Sequence, residues 1–119
     1  MSREPPNLQA PSRSARARDL VNHHPRDVTL QAALGALADP VRRAILYELA
    51  DDADWARACG SFDLGVAKST VSHHCNVLRT AGLIEQRDVG SRRLNRLRRG
   101  EYDARFPGLL ALVLDERER

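Results

Sequence analysis

Apolar residues recur along this chain with a helical period as far as Gly82 and with a different rhythm after it. Leu30, Ala33, Leu34 and Leu37 stand at i, i+3, i+4 and i+7, one face of a helix expected over about 27–38. Asp39-Pro40 supplies an N-cap residue followed by proline in the first turn, and opens a second helix over about 40–50 that buries Val41, Ile45, Leu46 and Leu49. Residues 54–64 carry no sustained period. Trp55 and Phe62 are expected to pack inward there, with a short helix near 61–64 and a turn at Gly65. Val71, Cys75 and Leu78 then mark the buried side of a helix over about 69–80, which Gly82 ends in the left-handed region.

Beyond Gly82 the pattern is that of a hairpin: a strand over 83–89, a turn at Gly90-Ser91 and a returning strand over 92–98. Leu94 and Leu97 are an odd number apart, so a straight strand puts them on opposite faces; either a bulge intervenes or one of them meets another element. A last helix begins near Asp103 or at Pro107 and runs to about 118. Leu109, Leu110, Leu112, Val113 and Leu114 make it apolar around most of its circumference, more than a terminal helix of a small domain buries within its own subunit. Leu30 and Leu34 of the first helix, with Leu109, Leu110 and Val113 of the last, are therefore the expected contacts of a homodimer.

Composition narrows the class. At 119 residues the chain fits one domain, and with 4% aromatics its core rests on aliphatic side chains, which favours a mainly α fold with a small antiparallel hairpin. The first 26 residues, rich in Pro, Ser, Arg and Asn, read as a flexible basic arm in which Arg13, Arg16 and Arg18 can touch a polyanion; the folded domain is expected over 27–118. No apolar run approaches membrane-spanning length and the start has no secretory hydrophobic region, so a soluble cytoplasmic protein without membrane partners is expected.

The net charge of +3 conceals a segregation. Between Arg87 and Arg99 there are six arginines, at 87, 92, 93, 96, 98 and 99, against the single acid Asp88. Concentrated charge of this kind is a nucleic-acid footprint. The helix just before it presents short polar side chains: Ser69, Ser72 and His73 lie opposite Val71, Cys75 and Leu78, while Lys68 and Thr70 sit at its start, within reach of phosphate oxygens. Helix, turn, helix and basic hairpin is the order of a winged helix-turn-helix, whose second helix reads base edges in the major groove while the hairpin reaches the backbone. The residues expected on double-stranded DNA are Lys68, Ser69, Thr70, Ser72 and His73 from the helix and Arg87, Arg92, Arg93 and Arg96 from the hairpin.

Ala38-Asp39-Pro40-Val41-Arg42-Arg43-Ala44-Ile45-Leu46, the stretch from Lys68 to Ile84, and Gly90-Ser91-Arg92-Arg93 resemble the ArsR (ArsR/SmtB) family of winged-helix repressors over about residues 28–115. The resemblance implies a homodimer on the first and last helices, a palindromic operator, and release when a signal arrives. It also implies that Lys68, Ser69, Ser72 and His73 touch bases and phosphates, with the wing tip at Gly90 to Arg93. The thiophilic-metal sequence of many relatives is replaced by Ala56-Arg57-Ala58, with Cys59 one residue out of register, and the last helix holds no histidine. His73, His74 and Cys75 are consecutive and point about 100° apart on a helix, which does not suit one tetrahedral ion. No metal or cofactor is expected, and no oriented nucleophile, base and third group suggests an enzyme. Two readings stand beside the signal-released repressor: a thiol-based redox sensor using Cys59 and Cys75, and a non-specific architectural DNA binder.

Overall fold

The computed structural model describes residues 20–117, so Arg13, Arg16 and Arg18 of the expected arm lie outside the described residues. Thr29 caps the first helix, α1 (Leu30–Leu37), by accepting from the Ala32 amide at 3.1 Å. Asp39 caps α2 (Pro40–Asp51), its carboxylate accepting from the amides of Val41 at 2.7 Å and Arg42 at 3.3 Å. Backbone hydrogen bonds to the capping oxygen hold the Asp39 carboxyl below its ordinary pKa against a desolvation that pushes the other way. Next come β1 (Arg57–Ala58), a 3-10 turn at Cys59–Ser61, α3 (Lys68–Thr80), β2 (Ile84–Val89), β3 (Arg92–Leu97), α4 (Arg99–Arg105) and α5 (Leu109–Glu116). The strands form one antiparallel sheet in the order β1-β3-β2. Mainly helical with a β-hairpin wing beside α3, the fold is a winged helix-turn-helix.

α3 ends in a left-handed cap that also fixes the N-terminal segment. The Gly82 amide donates to the Arg79 carbonyl at 3.1 Å and the Leu83 amide to the Leu78 carbonyl at 3.0 Å, the two-bond pattern of a glycine-terminated helix. Gly82 has φ +75°, and a Cβ there would lie 3.0 Å from Val28 Cγ2 and 3.2 Å from the His23 carbonyl oxygen. Only glycine allows the chain before α1 to cross so close.

Residues 20–26 do not continue the expected arm. The Asn22 side chain brackets the Gln86 backbone, donating to its carbonyl at 2.9 Å and accepting from its amide at 2.8 Å, and the Val21 carbonyl accepts from Arg79 Nε at 2.9 Å. Pro25–Asp27 forms a 3-10 turn with Pro25 buried. The ordered domain therefore begins before residue 27, because these polar groups serve the open edge of β2.

Two further expectations change. No helix forms over 61–64; instead Arg57–Ala58 adds a short strand to β3, and Cys59–Ser61 makes a single 3-10 turn. Gly60 and Gly65 disfavour helix in so short a segment, and Phe62 is held as a buried anchor. The last helix is divided at Phe106 to Gly108: Pro107 cannot continue α4, Phe106 leaves helical geometry, and Gly108 takes φ +83° to start α5. The charged α4 is fixed by buried Tyr102 and Phe106, whose rings lie 5.2 Å apart.

The odd spacing of Leu94 and Leu97 involves no bulge. The register runs unbroken from Ile84 opposite Leu97 to Val89 opposite Arg92. Ile84, Gln86 and Asp88 face inward with Leu97, Asn95 and Arg93, while Leu94 lies on the other face, opposite Arg87 and Ala58. Two amides, Gln86 and Asn95, thus occupy the middle of the buried face, at 2% and 1% exposure.

Candidate nucleic-acid interface

α3 is anchored on one side only. Val71, Cys75 and Leu78 pack into the core, which also holds Ile45, Leu46 and Leu49 of α2 and Leu83, Ile84 and Leu97 of the hairpin. Lys68, Ser69, Ser72 and His73 are exposed on the opposite side and Thr70 is half-buried, the division expected from the period. Asn76 is exposed one turn beyond Ser72 and joins that polar face; its place at i+4 is the signal in the sequence that points to it. His74 turns inward, its Nδ1 accepting from the Arg42 guanidinium at 3.0 Å, so adjacent His73 and His74 serve different sides. Among the described residues no three His, Cys, Asp or Glu side chains gather as a metal site.

The helix start is open. Its N-cap is Ala67, which contributes no side-chain hydrogen bond; the Thr70 and Val71 amides donate to its carbonyl at 3.0 Å and 3.1 Å, which leaves the amides of Lys68 and Ser69 to a partner outside the helix. Such an end suits a phosphate, and Lys68 stands beside it.

The wing arginines divide by what already holds them. Arg92 is exposed at the hairpin tip. Arg87 lies over the Trp55 ring, 4.2 Å from its centroid, and Trp55 itself takes φ 66°, an uncommon left-handed conformation secured by its amide donating to the Asn95 carbonyl at 3.0 Å. Arg93 pairs with Asp88 across the strands, through Nε at 2.9 Å and a terminal nitrogen at 3.0 Å, which raises its pKa further. Arg96 donates to Glu85 at 2.9 Å and Glu101 at 2.6 Å. The arginine run is therefore less available in space than in sequence, because Glu85 and Glu101 fold against it from outside the run. Arg92→Ala is expected to lower the slope of log affinity against log salt by about one unit, as for one lost phosphate contact. Arg96→Ala is expected to leave that slope nearly unchanged; titrations at several salt concentrations separate the two.

Between α3 and the wing lies a cleft of about 510 Å³ whose lining includes Ser72, Asn76, Arg92, Arg93 and, deeper, Cys59 and Gln86. Its floor is a connected polar network. Gln86 Nε2 donates to Asn95 Oδ1 at 2.9 Å and to the Cys59 sulfur at 3.0 Å. Asn95 Nδ2 donates to the Arg57 carbonyl at 2.9 Å, and Arg79 donates to Gln86 Oε1 at 2.8 Å. Burial and the nearby charge of Arg93 lower the Arg79 pKa from its ordinary value. Along the sequence Cys59 stands apart and no local pattern singles out Arg79, while strand parity alone points to Gln86 and Asn95; the fold joins these four, with Cys75 buried behind them.

The expected dimer contacts are split. Leu30 and Leu34 are 53% and 47% exposed, while Ala33, Ala36 and Leu37 form the inner side of α1. Leu109 and Val113 are half-buried against the core. Leu110 is the correction: at 2% exposure it belongs to its own subunit's core, because it sits on the inward side of α5. Leu112, 62% exposed, takes its place on the surface.

No helix among the described residues is long and apolar enough to cross a membrane. Among curated proteins none matches the chain. Residues 39–86, from the Asp39 cap through α3 to Gln86 in the wing, match the family model described as bacterial regulatory protein, arsR family. With that match spanning the polar face of α3 and the start of its wing, residues 39–86 are similar to an arsR-family helix-turn-helix domain, which supports a DNA-binding transcriptional regulator.

Proposed function

We propose that the protein is a homodimeric repressor that binds a short palindromic operator and releases it when a signal arrives. The observation that carries this reading is the one-sided anchoring of α3: an apolar back fixed in the core and a front of Lys68, Ser69, Ser72, His73 and Asn76 left exposed beside Arg92. Short hydrogen-bonding side chains suit base edges, whereas a purely phosphate-binding surface would favour Lys and Arg throughout. The dimer is supported by Leu30, Leu34 and Leu112, large apolar side chains exposed on α1 and α5. A cleft of about 410 Å³ between those helices and α2 is lined by Leu37, Tyr47, Leu112 and Val113, with Arg43 and Glu116 beside them. Two copies related by a two-fold axis read half-sites about one helical turn, roughly 34 Å, apart.

The test is selection of duplexes from a random pool, followed by binding of variants to the selected sequence. Ser72→Ala and His73→Ala are expected to cost about 1–3 kcal/mol at the bases they read while leaving random-duplex binding nearly unchanged. Equal loss on selected and random duplexes would remove the assignment of these residues as readers.

A further inference from the structure

We propose that Cys59 and Cys75 form a dithiol switch in the floor of the DNA-facing cleft: a hydroperoxide oxidises Cys59, Cys75 closes a disulfide with it, and DNA binding is lost. The loss of binding rests on the repressor reading above; the thiol chemistry stands without it.

Three observations meet here. The Cys59–Ser61 turn packs against α3, and Cys59 lies against the core cluster that holds Cys75, close enough for the two sulfurs to interact. The two sulfurs differ in access: Cys59 is half-buried and lines the cleft, whereas Cys75 is 1% exposed behind it. A peroxide arriving through the cleft therefore meets Cys59 first.

The surroundings of Cys59 also suit an anion. Gln86 Nε2 donates to its sulfur at 3.0 Å and Asn95 Nδ2 at 3.5 Å. The charged groups facing it are Arg79 from α3 and Arg93 from β3. Arg79 bonds the Val21 carbonyl and Gln86 Oε1, and no ion pair joins it to a carboxylate among the described residues. The Cys75 hydrogen bond, with help from Asn95, Arg93 and Gln86, outweighs burial and brings the Cys59 pKa down to about 7. Cys75 moves the other way, raised by its bond to Cys59 and by burial, and stays a thiol. A buried cysteine alone is ordinary packing. A buried thiol packed behind a reachable thiolate is placed to act as its resolving partner.

The steps balance. The Cys59 thiolate attacks the distal peroxide oxygen, the O–O bond breaks, and an alcohol or water leaves after taking a proton; Cys59 is now a sulfenic acid. The Cys75 sulfur then displaces that hydroxyl, the Cys75 proton leaves with it as water, and an S–S bond forms. Two thiols lose two electrons to one hydroperoxide. Closing an S–S bond of about 2.05 Å draws α3 toward the turn. It also removes the anion to which Gln86 and Asn95 donate, and both belong to the wing strands. The reading helix and the wing are disturbed together.

The experiment uses the full chain, reduced and then treated with hydrogen peroxide, with peptides mapped in the absence of reductant. The expected product is an intramolecular Cys59–Cys75 link, formed at a rate that rises with pH through a midpoint of about 7. Cys75→Ser is expected to stop at a dimedone-reactive sulfenic acid on Cys59, and Cys59→Ser to leave Cys75 unmodified. Because a hydroxyl at position 75 faces an apolar core, Cys75→Ala repeats the first test. The linked protein is expected to bind the duplex selected by the reduced form about tenfold more weakly or worse, within the usual range of coupling between two sites, and to recover with dithiothreitol. The proposal is overturned if Cys59 oxidises in the parent protein while Cys75 stays free, or if the linked protein binds as tightly as the reduced one. Should the reduced protein select no sequence, the operator reading falls, and the oxidised-to-reduced ratio is read on random duplex instead.

Discussion

Leu34→Glu is expected to give a folded monomer that binds its operator about a hundredfold or more weakly than the parent, the order of avidity lost when two linked half-sites become one. Leu34 is 47% exposed on α1, so a carboxylate there stays solvated in the single subunit, and stability should change by about 0.5 kcal/mol or less. In a dimer built on α1 and α5 the same carboxylate is desolvated, with apolar Leu30 and Leu112 also exposed on those helices. Sedimentation of parent and variant at matched concentration, beside a melting curve, distinguishes loss of the dimer from loss of the fold. If the parent sediments as a monomer, or the variant remains a dimer, the assignment of this face fails.

Arg79→Met is expected to lower unfolding stability by about 1–3 kcal/mol, a large fraction of what a domain of this size has. Methionine keeps much of the length and the packing but strands two acceptors, Gln86 Oε1 and the Val21 carbonyl, which now receive bonds at 2.8 Å and 2.9 Å. Gln86 is buried, so its stranded acceptor costs about 1–3 kcal/mol, whereas the carbonyl of exposed Val21 can turn to water; the loss is partly offset because a poorly compensated buried charge is removed. The loss should be local first. Amide exchange is expected to quicken over residues 21–28 and along β2 before the rest of the domain, since Arg79 ties both to α3. Arg79→Lys, with one compact ammonium in place of a planar fork, should recover only part of the loss. A variant as stable as the parent, with unchanged exchange over those segments, would show that Arg79 does not hold them.

Where apolar periodicity is strong the sequence is legible. The expected bounds of α2 and α3 fall within a residue of those observed, because Asp39-Pro40 and Gly82 mark helix ends by local chemistry alone. The hairpin is legible for the same reason, and the odd spacing of its leucines carries further information. If Ile84 and Leu97 are inner residues, alternation places Gln86 and Asn95 inside too, so a buried amide pair follows from strand parity alone. What local pattern does not carry is long-range. Nothing local joins Asn22 to Gln86, Cys59 to Cys75, or Glu101 to Arg96, since each pairing depends on how elements pack. The arginine count between 87 and 99 overstates the free positive charge for that reason. α4 escapes the apolar pattern because its charged residues hide two inward aromatics, Tyr102 and Phe106, and β1 because a two-residue strand has no period.

On the proposed reading, α3 and the wing read a sequence as well as hold a backbone. The most direct measurement is the ratio of affinities, by fluorescence anisotropy at one fixed salt concentration, for the duplex selected from a random pool and for unselected duplex of equal length. Sequence-specific recognition by paired α3 helices predicts a ratio of about a thousand or more, with the selected duplex showing two-fold symmetry. A ratio near one, with both affinities falling together as salt rises, would contradict it and leave a non-specific architectural binder.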